Sequence, residues 1–157
     1  MNANDRISEL KSLLQAGGRI LVVDGAMGTA IQGKNLGPVD FGGPEYEGCN
    51  EYLIITRPDV ISDIHQSYLD SGADIIETNT FGATSVVLAE YNLSHESSRI
   101  NREAALLARK VADQSSEHGK PRFVAGSMGP TTKTISVTGG IAFDELAKDY
   151  EEQAIGL

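Results

Sequence analysis

The chain has 157 residues, a length that fits one globular domain of roughly 100 to 200 residues. Its 22 Asp and Glu against 13 Lys and Arg leave a net charge of −9, which repels phosphate backbones and anionic lipid surfaces and excludes nucleic acid as an expected partner. An apolar share of 40 %, with no apolar run near the ~20 residues of a membrane span, excludes both disorder and an integral membrane protein.

In chain order, Ile7, Leu10 and Leu14 form a stripe at helical spacing over about residues 5–15, ended by Gly17-Gly18, where glycine can supply a left-handed cap. Ile20-Leu21-Val22-Val23 follows as a short β-branched run that predicts a strand over 19–24, covered on both faces. Residues 28–57 hold no sustained periodicity and are broken by Gly33, Gly37, Pro38, Gly42, Gly43, Pro44 and Gly48. They read either as a long binding loop or as a series of short hidden helical turns.

Thr56 as a cap candidate and Pro58 at the start predict a helix over 58–70, with Ile61, Ile64 and Tyr68 on one face. A second strand is expected over 73–78 and a short helix over 84–90. A longer helix over 96–114 is marked by Ile100, Ala104, Leu107 and Val111, with Gly119 and Pro121 ending the pattern. A third strand over 122–126, a polar loop over 128–140 and a helix from Phe143 with Leu146, Tyr150, Ala154 and Leu157 on one face follow. Strands alternating with helices and no hairpin signal indicate an α/β fold with parallel strands.

Glycine is over-represented, 17 of 157 residues, and two strand ends carry the same Gly-x-Met-Gly pattern at Gly25–Gly28 and Gly126–Gly129. Glycines there permit positive φ and bring backbone N–H groups close to a ligand. Asp24 closes the first strand, Glu77, Thr78 and Asn79 the second, and Ser127 and Thr131 follow the third. In α/β sheets and barrels this carboxyl edge is where sites are built. Asp24 and Glu77 suit an ammonium group, and the amides of Gly25, Ala26 and Gly126 suit a carboxylate, so an amino acid is the ligand class indicated. His65 reads as a helix-face residue, and His95 and His118 as solvated. Cys49, the single cysteine, has no Cys or His at zinc-ligand spacing and reads as a free thiol. A lone cysteine and the absence of an apolar signal segment fit a reducing cytoplasm.

Four stretches taken together, 24–29, 48–61, 72–81 and 126–131, resemble the homocysteine S-methyltransferase family. More narrowly, they resemble the N-terminal homocysteine-binding module of cobalamin-dependent methionine synthases, the narrower likeness resting on 48–61 and on 132–137. The resemblance implies a (β/α)8 barrel, homocysteine as substrate, and a zinc ion held by three cysteines late in the module that favours the substrate thiolate. It further implies methyl transfer from methylcobalamin, recharged by methyltetrahydrofolate on other modules of the same polypeptide. Residue by residue, Asp24 matches the contact to the homocysteine amino group and Gly25-Ala26 the turn facing its carboxylate. Glu77, Thr78 and Asn79 match the second-strand tip lining the pocket, with Gly126 and Ser127 at the third.

A complete barrel of this class takes ~250 residues, so residues 1–157 are expected to be its incomplete N-terminal part. The zinc cysteines then lie past Leu157, and no metal or cofactor is expected on this piece alone. The competing expectations are a stand-alone methyltransferase using betaine or S-methylmethionine, and a non-catalytic truncated product.

Overall fold

A computed structural model describes residues 3–116, 120–135 and 140–157. His118, Gly119 and the 136–137 part of the resemblance lie outside the described residues. Seven helices and two strands occur among the described residues: α1 (Ala3–Ala16), α2 (Met27–Gln32), α3 (Leu53–Thr56), α4 (Pro58–Asp70), β1 (Ile75–Glu77), α5 (Ser85–Leu88), α6 (Ser97–Gln114), β2 (Phe123–Ala125) and α7 (Phe143–Gly156). No helix among them is long and apolar enough to cross a membrane.

β1 and β2 pair in parallel with Ile76 opposite Val124, and α6 is the crossover between them, as the alternation of elements predicts. The first expected strand is corrected. Residues 19–24 run parallel to β1 but form a single bridge, Val23 with Ile75. Three backbone hydrogen bonds hold them there, from Asp24 N to Ile75 O and from Asp74 N and Ile75 N to Val22 O. Nor are they covered on both faces, since Ile20 is 88 % and Val22 53 % exposed. A β-branched run has strand propensity, but a strand needs a ladder on at least one full edge, and here only its end is paired.

The alternative of hidden helical turns holds for 28–57. α2, α3 and two 3-10 turns, Pro44–Tyr46 and Asn50–Tyr52, fill the stretch. Its apolar residues Ile31, Phe41, Leu53 and Ile54 pack with Val60, Ile61 and Ile64 of α4 and with Ala104 of α6. α4 starts at Pro58 as predicted, but Thr56 does not cap it. Thr56 ends α3, and its hydroxyl donates to Tyr52 O. Thr84 does cap α5, accepting from Val87 N.

α1 leaves Ile7 and Leu14 of its predicted stripe largely exposed. The inner face of α7 is also corrected: its buried residues are Asp149 and Gln153, with Leu146 and Tyr150 half-buried and Ala154 exposed. Apolar periodicity could not reveal that face, because its deepest positions are polar.

At the amino ends of the strands, the carboxylate of Asp74, 2 % exposed, accepts from Val22 N at 3.0 Å and Arg122 Nη1 at 3.4 Å, and pairs with Arg19. Removing one partner of a buried charge cluster leaves the others uncompensated. Asp74→Ala is therefore expected to cost about 3 kcal/mol in chemical denaturation.

His65 lies on the inner face of α4, fully buried, with no hydrogen-bond partner for either ring nitrogen among the described residues. Burial pushes its pKa down to about 4. The unfolded chain therefore binds this proton more readily, and stability falls as pH drops from about 6.5 towards 4. His65→Leu is expected to remove most of that acid slope, worth about 2 kcal/mol near pH 5 relative to neutral pH, measured by denaturation at a series of pH values.

Candidate functional site

The carboxyl ends of the strand segments converge as the sequence predicts. A cleft of about 290 Å3 lies there, and Asp24, Gly25, Ala26, Glu77, Thr78, Asn79 and Ser127 all line it. Gly126 does not. It lines a larger, mostly apolar cleft of about 490 Å3 between α1, α6 and β2, and a Cβ on it would meet the Leu157 side chain at 2.9 Å. Thr131 is also outside the carboxyl-end cleft, its hydroxyl donating to Lys133 O.

Asp24 is fixed on both sides. Its backbone N–H donates to Ile75 O at 2.9 Å, and its Oδ1 accepts from Glu77 N at 2.9 Å. The chain then turns through Ala26, which adopts left-handed φ 48°, ψ 37°, before α2 begins. The positive φ expected of a glycine at this strand end thus falls on alanine instead. A Cβ on Gly25 would meet nothing within 4 Å, so the space over this backbone is open. Among the described residues no acceptor is found for the amides of Gly25 and Ala26.

The second Gly-x-Met-Gly turn is built differently. No helix follows it directly, Gly129 N donates to Phe81 O, and a Cβ on Gly129 would lie 2.6 Å from the Phe81 ring. Glycine is required here by close approach, and similar sequence has yielded two unlike turns.

Between them, Thr78 and Thr80 are buried and join the ends of β1 and β2. Ser127 N donates to Thr78 Oγ1 at 2.9 Å, and Thr80 Oγ1 donates to Ser127 O at 2.7 Å. Thr80 has thereby used its hydrogen, so in the 2.6 Å contact between the two hydroxyls Thr78 is the donor. The four groups form a closed ring of hydrogen bonds.

Sequence reasoning missed Asn50 and Glu51, which also line the cleft. The amide of Asn79 donates to Asn50 O at 2.7 Å, and Glu51 Oε1 accepts from Gly82 N at 2.8 Å, latching the 28–57 stretch to the tip of β1. The signal available was the position of both residues in a glycine-rich stretch expected to border a site.

Three carboxylates, Asp24, Glu51 and Glu77, thus line a cleft with no Lys, Arg or His among its lining residues. Burial and, to a smaller degree, the Glu77 charge raise Asp24, against the lowering effect of the Glu77 N–H, to a pKa of about 6. Such a cleft favours a cation, and any anionic group entering it has only neutral donors to meet: backbone N–H groups, hydroxyls and the side-chain amides of Asn50 and Asn79.

Among the described residues no three His, Cys, Asp or Glu come together as a metal site. Cys49 is buried with Ala83, Leu88, Leu93 and Ile100, and burial pushes its thiol up to about 12, so it supplies no thiolate. His95 is exposed beside Glu96.

A family model described as homocysteine S-methyltransferase matches residues 21–157. The fold is similar to that of the homocysteine methyltransferase MmuM from Escherichia coli. Its metallated form superposes with a TM-score of 0.72 at 21 % identity, over 92 % of this chain and 52 % of that one. The oxidized form gives a TM-score of 0.71 at 21 % identity, over 92 % and 51 %. The chain spans about half the length of these structures.

Because the folded chain holds the Asp24 proton more tightly than the unfolded chain, this residue removes stability as pH rises from about 4 to about 6. Asn at this position keeps the acceptor for Glu77 N–H without the charge. Discounted for solvent screening at a half-buried site, Asp24→Asn is expected to gain about 1 kcal/mol at neutral pH and nothing near pH 4, read from thermal melts at both.

Proposed function

The chain belongs to the homocysteine S-methyltransferase family, and on that footing we propose that the cleft at its strand ends receives homocysteine, whose sulfur is the methyl acceptor. The observation that carries this reading is the lining itself: three carboxylates, no cationic side chain, and the open amides of Gly25 and Ala26. A zwitterionic amino acid matches both halves. Its ammonium group meets ionised Asp24, with Glu77 and Glu51 adding negative potential, and its carboxylate is held by backbone N–H donors.

Asp24 is well suited to that role. It carries a proton more often than an ordinary aspartate in the empty cleft, and an arriving ammonium group favours its ionised form. Ligand binding and Asp24 deprotonation are then linked. The closed ring through Thr78, Thr80 and Ser127 fixes the opposite wall, so that both ends of the substrate meet groups already in place.

We further propose that the chain is the N-terminal part of a (β/α)8 barrel, and that its parent protein is a cobalamin-dependent methionine synthase. The likeness of 48–61 supports that narrower reading. The methyl donor would be methylcobalamin, recharged by methyltetrahydrofolate on other modules of the polypeptide. The described residues do not fit the zinc ion this family implies, since the one cysteine is sequestered as a thiol. These residues therefore bind and orient the amino-acid part of the substrate, and no step at the sulfur is assigned to them.

L-Homocysteine is expected to bind the chain in equilibrium dialysis, with affinity falling as pH drops through about 6. Asp24→Asn should weaken binding at neutral pH roughly tenfold, the worth of one charge-assisted contact. Equal affinity of the variant, or tighter binding of a decarboxylated or N-acetylated analogue, would contradict the assignment. Methyl transfer by the parent protein that proceeds undiminished without cobalamin would remove the narrower reading and leave the homocysteine site standing.

A further inference from the structure

We propose that Gln153 of α7 and Asn101 of α6 are positioning residues for the cleft, acting through Thr80. The inference rests on the reading that homocysteine occupies the cleft, and it names groups that do not touch it.

Gln153 and Asn101 are both fully buried. A buried amide needs a reason to be there, since burying it without full hydrogen bonding costs stability. Asn101 spends its Nδ2 donors on Ala83 O and Ser97 O, each at 2.8 Å, which leaves Oδ1 as an acceptor. Gln153 Nε2 donates to that oxygen at 3.3 Å and to Thr80 O at 2.8 Å. The approach of the two helices depends on Gly156, where a Cβ would lie 2.8 Å from Asn101 Cβ and 3.4 Å from Ser98 O.

The Thr80 carbonyl is thus held from behind, while the Thr80 hydroxyl faces forward into the ring that fixes Ser127 and Thr78. One residue connects the buried helix pair to the wall of the cleft. Gln153 Oε1 finds no partner among the described residues although it is buried. The hydrogen bonds that a buried glutamine makes here are thus those of Nε2 alone, and the shorter of them goes to the Thr80 carbonyl.

α7 does not need Gln153 in order to dock. Asp149 accepts from Ser85 N at 2.8 Å and Val86 N at 3.2 Å, and Tyr150 Oη donates to Gly129 O at 2.8 Å. Removing the Gln153 amide should therefore leave the helix seated while freeing the Thr80 carbonyl and, on the longer contact, Asn101 Oδ1.

The test is equilibrium dialysis of the chain with labelled L-homocysteine, run beside thermal melts. Gln153→Met keeps length and burial and removes both the donor and the orphaned acceptor. Because it leaves the Thr80 and Asn101 acceptors buried without a donor, it is expected to lower the melting temperature modestly, while weakening homocysteine binding about fivefold to tenfold at temperatures well below the melt, with the pH midpoint near 6 retained. Thr80→Val should weaken binding at least as much, and the double variant no further than Thr80→Val alone, because both act through one residue.

Unchanged affinity in Gln153→Met overturns the inference. So does strictly additive weakening in the double variant, or affinity lost only in step with the melting temperature. Should Gln153→Met fail to fold, Gln153→Leu is read against the same outcomes, and failure of both overturns the claim that α7 docks without the amide. If the parent chain binds no homocysteine, the reading of the cleft fails and the inference falls with it. If Asp24→Asn weakens binding and Gln153→Met does not, the inference alone fails.

Discussion

The constraint on which the rest depends is the buried carboxylate of Asp74. It sits immediately before β1 and draws together the starts of the two neighbouring segments. Val22 N and Arg19 come from one side, and Arg122, whose Nη1 also donates to Ala73 O, from the other. The backbone of the same residue repeats the pattern, donating to Val22 O and accepting from Phe123 N. Among the described residues the sheet comprises two three-residue strands and one further bridge, which leaves few ladder hydrogen bonds to specify its register. A charge cluster at one end supplies the specificity that a short ladder lacks. Everything at the opposite end of the strands, from Asp24 to Ser127, inherits its relative placement from that anchor.

The two ends of the sheet use carboxylates in opposite ways. Asp74 is neutralised by guanidinium groups and backbone donors and serves structure. Asp24 has a single backbone donor and Glu77 as a like-charged neighbour, which leaves it raised and in want of a cation. Perturbed carboxylates concentrate at binding sites, and the raised Asp24 supports the reading proposed for this cleft. The wall across from Asp24 follows the same division. Its Thr78 and Thr80 hydroxyls are committed to each other and to the Ser127 backbone, so they shape the cleft and set the position of Ser127 without offering a charge.

Helices were the most legible part of the sequence. α4 and α6 stand where apolar periodicity, a proline at the start and glycine near the end place them, because their burial is decided locally by one apolar stripe. Strand positions were legible but not their extent. The run at Ile20 has the composition of a covered strand, yet coverage is a property of what packs on it, and composition does not report that. The site's acidic and glycine residues were legible as a cluster at one edge, Gly126 excepted. Asn50 and Glu51 were not, since their role depends on how a turn-rich stretch folds back over the tip of β1. Gln153 and Asp149 were hidden most completely. Polar residues on the deep face of a helix contradict the periodicity by which helix faces are read, and only tertiary partners such as Thr80 O and the start of α5 explain them.

Cys49 has a consequence beyond its silence in the chemistry. It adjoins Asn50 and Glu51 in the cleft wall, it is the only sulfhydryl in the chain, and it is 1 % exposed with its proton firmly held. A thiol reagent reaches such a group only when the surrounding segment opens, so its rate of labelling measures the free energy of that opening. The protein therefore carries a built-in reporter of wall mobility. Any occupant that steadies the 28–57 stretch against β1 would slow the reaction in proportion to its occupancy, with no engineered probe required.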